Sequence, residues 1–135
     1  MLHLSKVAVG CADLAALTAR HAERAAREGF AYADTRFMPV RAADLAGGSL
    51  FWIVRHTLIA RQAITGLAMV ETERGTKCRI ALATVPVPVV ATPRRAHQGW
   101  RYLRAEDAPA DLADDATGGA MPAAMVRALA AMGLI

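Results

Sequence analysis

The sequence predicts an α+β domain, built as a curved, mostly antiparallel sheet or partial β-barrel flanked by two main helices. Two observations predict it. Short apolar segments bounded by Gly, Pro and turn residues follow one another from residue 49 to residue 103, the pattern of strands joined by hairpins. One helical pattern precedes that run, at 13–28, and another follows it, at 121–133, so helices do not alternate with strands as in a doubly wound sheet. With 135 residues and 55% apolar side chains, the chain has the length of a single domain, 1–135, and the material for a core.

Residues 2–9 (LHLSKVAV) read as the opening strand, ended by Gly10. Asp13 offers an N-cap carboxylate for a helix running to about Glu28, and Gly29 suits the left-handed conformation that closes helices. Leu14, Leu17 and the alanines at 22 and 25 give that helix a thin apolar face, while Glu23 and Arg27 pair one turn apart on its outer side. His21 follows Leu17 by one turn and reads as boundary packing. Residues 30–38 are extended and stopped by Pro39, and 42–45 form a short helix closed by Gly47-Gly48. The strongest strand signal is SLFWIVR at 49–55, with its aromatic and β-branched residues.

His56-Thr57 makes a tight turn into 58–70, a strand bent at Gly66. A helix over 58–65 competes; Ile59, Thr65 and the neighbouring strand pattern favour the strand. Glu73-Arg74-Gly75 turns the chain into a returning strand over 76–84. Pro86, Pro88 and Pro93 lack the N–H that a ladder needs, so 85–93 is an edge strand or a polyproline-like segment. Residues 94–103 (RRAHQGWRYL) are a loop leading into a strand, and 105–120 an acidic surface loop. Pro122 fits the first turn of a closing helix over 121–133, striped by Met125, Leu129 and Met132.

The formal charge of +4 hides a split. Residues 1–104 carry 15 basic and 7 acidic side chains, a net of +8, whereas 105–135 carry one basic and five acidic, a net of −4. A basic body attracts nucleic acid or other phosphates. That 14 of the 16 basic residues are Arg also fits coding bias, with Arg stems covering apolar surface. Cys11 and Cys78, without a CxxC, make neither a zinc site nor a disulfide framework. No secretory signal opens the chain, and no apolar run reaches the roughly 18 residues of a membrane span. The expectation is a soluble cytoplasmic protein with reduced thiols and no membrane partner. Glycine-rich phosphate loops, His-Glu-x-x-His and Gly-x-Ser-x-Gly are absent, and the histidines at 3, 21, 56 and 97 lack metal-ligand spacing, so neither metal nor cofactor is expected.

Two segments carry candidate chemistry. A hairpin around His56-Thr57 brings Arg55 towards Arg61, with Gln62 beside it. Residues 94–104 (RRAHQGWRYLR) hold four arginines, His97, Trp100 and Tyr102 without an acidic residue. Guanidinium forks suit phosphate, and indole or phenol faces suit stacked bases. The candidate ligand-binding set is therefore Arg55, Arg61, Gln62, Arg94, Arg95, Gln98, Trp100, Arg101 and Tyr102. The competing reading is structural: Trp100 and Tyr102 alternate with Arg101 as in a half-buried strand, and Arg101 and Arg104 pair with Glu106 and Asp107.

Trp52-Ile53-Val54-Arg55, Ile59, Arg61-Gln62, Pro93-Arg94-Arg95, Gln98 to Leu103 and Glu106-Asp107-Ala108-Pro109 together resemble the domain of unknown function 1489 family. The resemblance runs over nearly the whole chain, and Gln-Gly-Trp-Arg-Tyr-Leu is its most specific block. His56 departs from the glycine of the family pattern. The family is one of short bacterial proteins without an assigned activity, so the resemblance implies no catalytic residues. The leading functional expectation is a non-enzymatic module binding RNA, another nucleic acid or a nucleotide. One alternative is a small enzyme acting on an anionic metabolite, with His97 or His56 as acid/base and Arg61 as anion clamp. The other is a structural or interaction protein, homodimeric across the Pro-rich edge at 85–93.

Overall fold

The computed structural model describes residues 2–112. Its chain order is β1 (Leu2–Val7), α1 (Leu14–Glu28), β2 (Ala31–Thr35), a 3-10 turn (Ala42–Leu45), β3 (Ser49–Val54), β4 (Thr57–Thr72), β5 (Gly75–Leu82), β6 (Val87–Pro93), β7 (Trp100–Arg104) and a second 3-10 turn (Ala105–Asp107). The seven strands form one sheet in the order β2-β5-β4-β3-β1-β7, with β6 also paired to β4.

β3 is the centre of the molecule because both its edges and both its faces are used. It runs parallel to β1, with Leu4 opposite Leu50, and antiparallel to β4, with Phe51 opposite Arg61. All six of its residues are buried. Its pleat sends Leu50, Trp52 and Val54 into the main core with Leu4, Leu14, Leu17 and Ile80, and sends Phe51 and Ile53 into a second cluster with Leu58, Val89 and Leu103. At roughly 2 kcal/mol for each large apolar side chain fully removed from water, burial of β3 favours folding by about 10 kcal/mol. Strands buried on both faces read as continuous apolar runs, which explains the strength of the SLFWIVR signal.

α1 forms as its end signals require. Asp13 Oδ1 accepts the Ala16 N–H at 2.9 Å, and Gly29 closes the helix at φ 94°. Leu14, Leu17 and His21 face inward, and the His21 ring lies tilted against Trp52, with centroids 5.4 Å apart. The β3–β4 hairpin turns on Arg55 and His56, with φ of 52° and 59°, the primed geometry that matches strand twist but favours Asn and Gly. β4 spans sixteen residues and changes register between Ile64 and Gly66, at the bend expected of Gly66. The Pro-rich segment does form a strand: β6 pairs with the outer side of β4 through an irregular register. Its far side meets the chain again, where Val90 donates to the Ala110 carbonyl at 2.8 Å and Val89 bridges Asp111.

The expected fold class needs correction. Among the described residues the protein is mostly sheet with one α-helix, and the sheet is mixed because β1 and β3 are parallel. Among the described residues one main helix flanks it, not two. The face away from α1 is covered instead by β6 and residues 108–112, whose Ala108 packs on the Phe51–Leu103 cluster and whose Leu112 is buried. The physical reason is that β1 and α1 together act as a crossover unit, which lets the chain return beside β1 as a parallel strand. The expected helix at 121–133 and the acidic residues 113–120 lie outside the described residues. Among the described residues, no helix is long and apolar enough to cross a membrane.

Candidate functional site

The segment preceding β7 is fixed from two directions. The His56 carbonyl accepts the Arg94 N–H at 2.9 Å, and His56 Nδ1 accepts the Ala96 N–H at 3.1 Å. The strained hairpin turn therefore grips residues 94–96. Further along, His97 Nε2 lies 3.1 Å from the hydroxyl of Ser5 in β1, and His97 Nδ1 lies 3.4 Å from the Gln98 carbonyl. A carbonyl only accepts, so the neutral ring carries its proton on Nδ1 and Nε2 accepts from Ser5. Burial holds the His97 pKa below the usual imidazole value, against the opposing Gln98 hydrogen bond, and the charges of Arg101, Arg94 and Lys6 lower it further. Ser5 is fully buried, so it orients His97 and is not exposed for attack on a substrate.

Arg94, Arg95, His97 and Arg101 line one groove of about 520 Å³. None of the three arginines pairs with a carboxylate among the described residues; Arg94 gives a single bond to the Tyr102 carbonyl at 3.4 Å. Arg55, exposed on the hairpin turn, precedes the residue that grips the groove's wall. These are the sequence-selected residues that the fold brings towards one region.

The others are placed elsewhere. Arg61 sits between β3 and the 108–112 segment, giving Asp111 two bonds of 2.7 and 2.6 Å and the Ser49 hydroxyl one of 3.0 Å. Its fork is engaged with a carboxylate of the same chain. Gln62 is wholly buried: its carbonyl accepts the Trp52 indole N–H at 2.7 Å, and its amide donates to the Ala83 and Thr84 carbonyls. Trp100 and Tyr102 lie on the face of β7 opposite Arg101 and pack on the main core. Trp100 Nε1 donates to the Phe37 carbonyl at 2.9 Å, the Tyr102 hydroxyl accepts the Arg41 N–H at 3.0 Å, and the two rings meet edge-on at 4.8 Å. They hold residues 37–41 against the sheet. Gln98 is exposed beside a shallower hollow that also includes His97. Arg104, not Arg101, pairs with Glu106 and Asp107, at 3.3 and 3.0 Å.

The sequence reading missed Ser5 as the partner of His97, because the contact joins residues 92 positions apart. It also gave no weight to the side chains paired across β2 and β5. There Arg79 forms a two-bond pair with Asp34, both at 2.8 Å, and its guanidinium stacks 3.8 Å from the Tyr32 ring centroid. Alternation of charge and aromatics in β2 and β5 was the available signal. No group of three or more His, Cys, Asp or Glu side chains able to hold a metal occurs among the described residues.

The described residues form a mixed sheet with one covering helix and a cationic groove beside an edge strand. The family described as Protein of unknown function (DUF1489) matches residues 4–135, and the chain belongs to that family. No curated protein and no solved structure matches it.

Proposed function

We propose that the domain binds the phosphates of single-stranded nucleic acid or of a nucleotide in the groove of Arg94, Arg95, His97 and Arg101. The observation that carries this reading is the absence of any carboxylate partner for three guanidinium groups around one concavity, among the described residues. Ion pairs elsewhere show that this chain neutralises arginines where their role is structural, as at Arg61 and Arg79. Because Trp100 and Tyr102 are turned to the opposite face, binding rests on phosphate contacts and discriminates weakly among base sequences.

Three phosphate contacts on a single strand give a slope of log K against log salt of about −2, so affinity falls roughly 20-fold between 50 and 200 mM salt. Fluorescence anisotropy with a labelled 12-nucleotide RNA and the matching DNA measures this directly, the length exceeding the span of about three phosphates. Arg94→Ala and Arg95→Ala each flatten the slope by about 0.7. Binding that is absent at 50 mM salt, or unchanged in both variants, refutes the proposal.

A further inference from the structure

A second cationic cavity lies on the other face of β1, between its carboxyl end, α1 and β2. It encloses about 420 Å³, within the range of small-molecule sites. Lys6, Arg20, His21, Arg24 and Arg74 contribute to its wall, and the single carboxylate there is Asp34. Asp34 is already committed to Arg79 through both oxygens. The cavity thus gathers four cationic side chains whose charge no carboxylate on its wall is free to balance.

Lys6, Arg20, Arg24 and His21 each keep polar atoms without a hydrogen-bond partner among the described residues. Lys6 is half-buried, has no acidic partner among the described residues, and its pKa is pushed down by burial and by Arg20. The Arg20 guanidinium rests against the strand–helix loop, 3.0 Å from where a β-carbon on Gly10 would stand. Arg24 gives one N–H to the Tyr32 carbonyl at 2.6 Å, while its Nε is buried without a partner. His21 is 1% exposed, and neither ring nitrogen has a hydrogen-bond partner. Burial, then Arg24 and Arg20, hold its pKa down to about 4, so it stands neutral with one donor and one acceptor unused. Buried polar groups without partners are rare and call for a ligand or another specific cause.

The location fits a ligand site on independent grounds. Lys6 and Val7 end β1, the following chain enters α1, and Trp52 near the end of parallel β3 forms the floor. In open α/β sheets ligands bind outside the carboxyl ends of parallel strands, and the cavity stands at that end of the single parallel pair here, β1 and β3. Several separated cations around one small cavity match a multiply charged, compact oxyanion better than a single carboxylate.

We infer that this cavity binds a small phosphorylated molecule, with Lys6, Arg20 and Arg24 holding the phosphate and His21 hydrogen-bonding to it. The site is separate from the groove of Arg94, Arg95 and Arg101 and does not depend on what that groove binds.

Calorimetric titration of the full chain with inorganic phosphate, phenyl phosphate and benzoate, at constant ionic strength in chloride, tests it. The expected result is saturable one-to-one binding of phosphate or phenyl phosphate, with benzoate at least about tenfold weaker. Phenyl phosphate binding more tightly than inorganic phosphate identifies an ester as the ligand; equal affinity identifies the free ion, and either outcome supports the site. Lys6→Ala and Arg20→Gln each weaken binding about tenfold or more, and Arg95→Ala leaves it unchanged. Arg20 lies on the helix surface side of the cavity, so Arg20→Gln decides the matter if Lys6→Ala does not fold. Nitrogen-15 spectra of the wild type show shifts at His21 and at the Trp52 indole. Absence of saturable binding, equal binding of benzoate, or equal weakening by Arg95→Ala overturns the inference.

Discussion

Replacing Gln62 by Leu isolates what a buried polar residue contributes to this sheet. The two side chains are close in volume, so the cavity cost is small and the change is mainly a loss of hydrogen bonds. Gln62 accepts the Trp52 indole N–H at 2.7 Å and donates to Ala83 and Thr84 at 2.8 and 3.3 Å. The Thr84 carbonyl belongs to an exposed residue and rehydrates freely, and Ala83 is half-buried. Trp52 is 4% exposed, so its N–H is left without a partner in the core. An unsatisfied buried donor costs about 1–3 kcal/mol, and the weakened Ala83 contact adds about 1 kcal/mol. The expected loss is about 3 kcal/mol, a large fraction of the 5–15 kcal/mol typical of a domain. Urea unfolding followed by circular dichroism measures it, and a double-mutant cycle with Trp52→Phe yields a coupling of about 1–2 kcal/mol. A Gln62→Leu protein within about 1 kcal/mol of the parent, or two single costs that simply add, refutes the reasoning.

Other consequences are equally open to measurement. His21 titrates near 4 in the fold and near 6.5 when unfolded, so the unfolded chain binds more protons between those values. Stability is therefore fully retained above pH 6.5 and falls by about 3 kcal/mol as pH drops to 4, a dependence that thermal melts show reduced in His21→Leu and that an unchanged pH profile contradicts. His56→Gly relieves a left-handed φ of 59° and raises stability by roughly 0.5–1 kcal/mol in chemical denaturation; a loss larger than about 1 kcal/mol shows that the ring's hold on the Ala96 N–H outweighs the strain. Gly48→Ala places a β-carbon onto the Leu2 carbonyl, and differential scanning calorimetry is expected to show a loss of about 2 kcal/mol or more. A melting temperature equal to that of the parent shows that β1 yields there.

Local sequence decided what local physics can decide. The helix was legible from Asp13 to Gly29 because capping needs only residues within a turn of each other. The β4–β5 hairpin was legible from Glu73-Arg74-Gly75, and β3 from its uninterrupted apolar run. Prolines at 86, 88 and 93 marked β6 as peripheral, since each removes a ladder donor. The parallel pairing of β1 with β3 was not legible, because it depends on where the chain returns after α1 and β2.

The same division holds for the candidate site. The sequence by itself determined a basic, nearly acid-free segment at 94–104 and selected its arginines. Only the tertiary structure decided that Arg101 faces the groove while Trp100 and Tyr102 face the core, and that Arg61 and Gln62 are tied to Asp111 and Trp52. The physical reason is the two-residue period of a strand, which places sequence neighbours on opposite faces. A charged or aromatic side chain then takes its role from the partner across the sheet, here Ser5 for His97 and Asp111 for Arg61, and such partners stand 92 and 50 positions away in the chain.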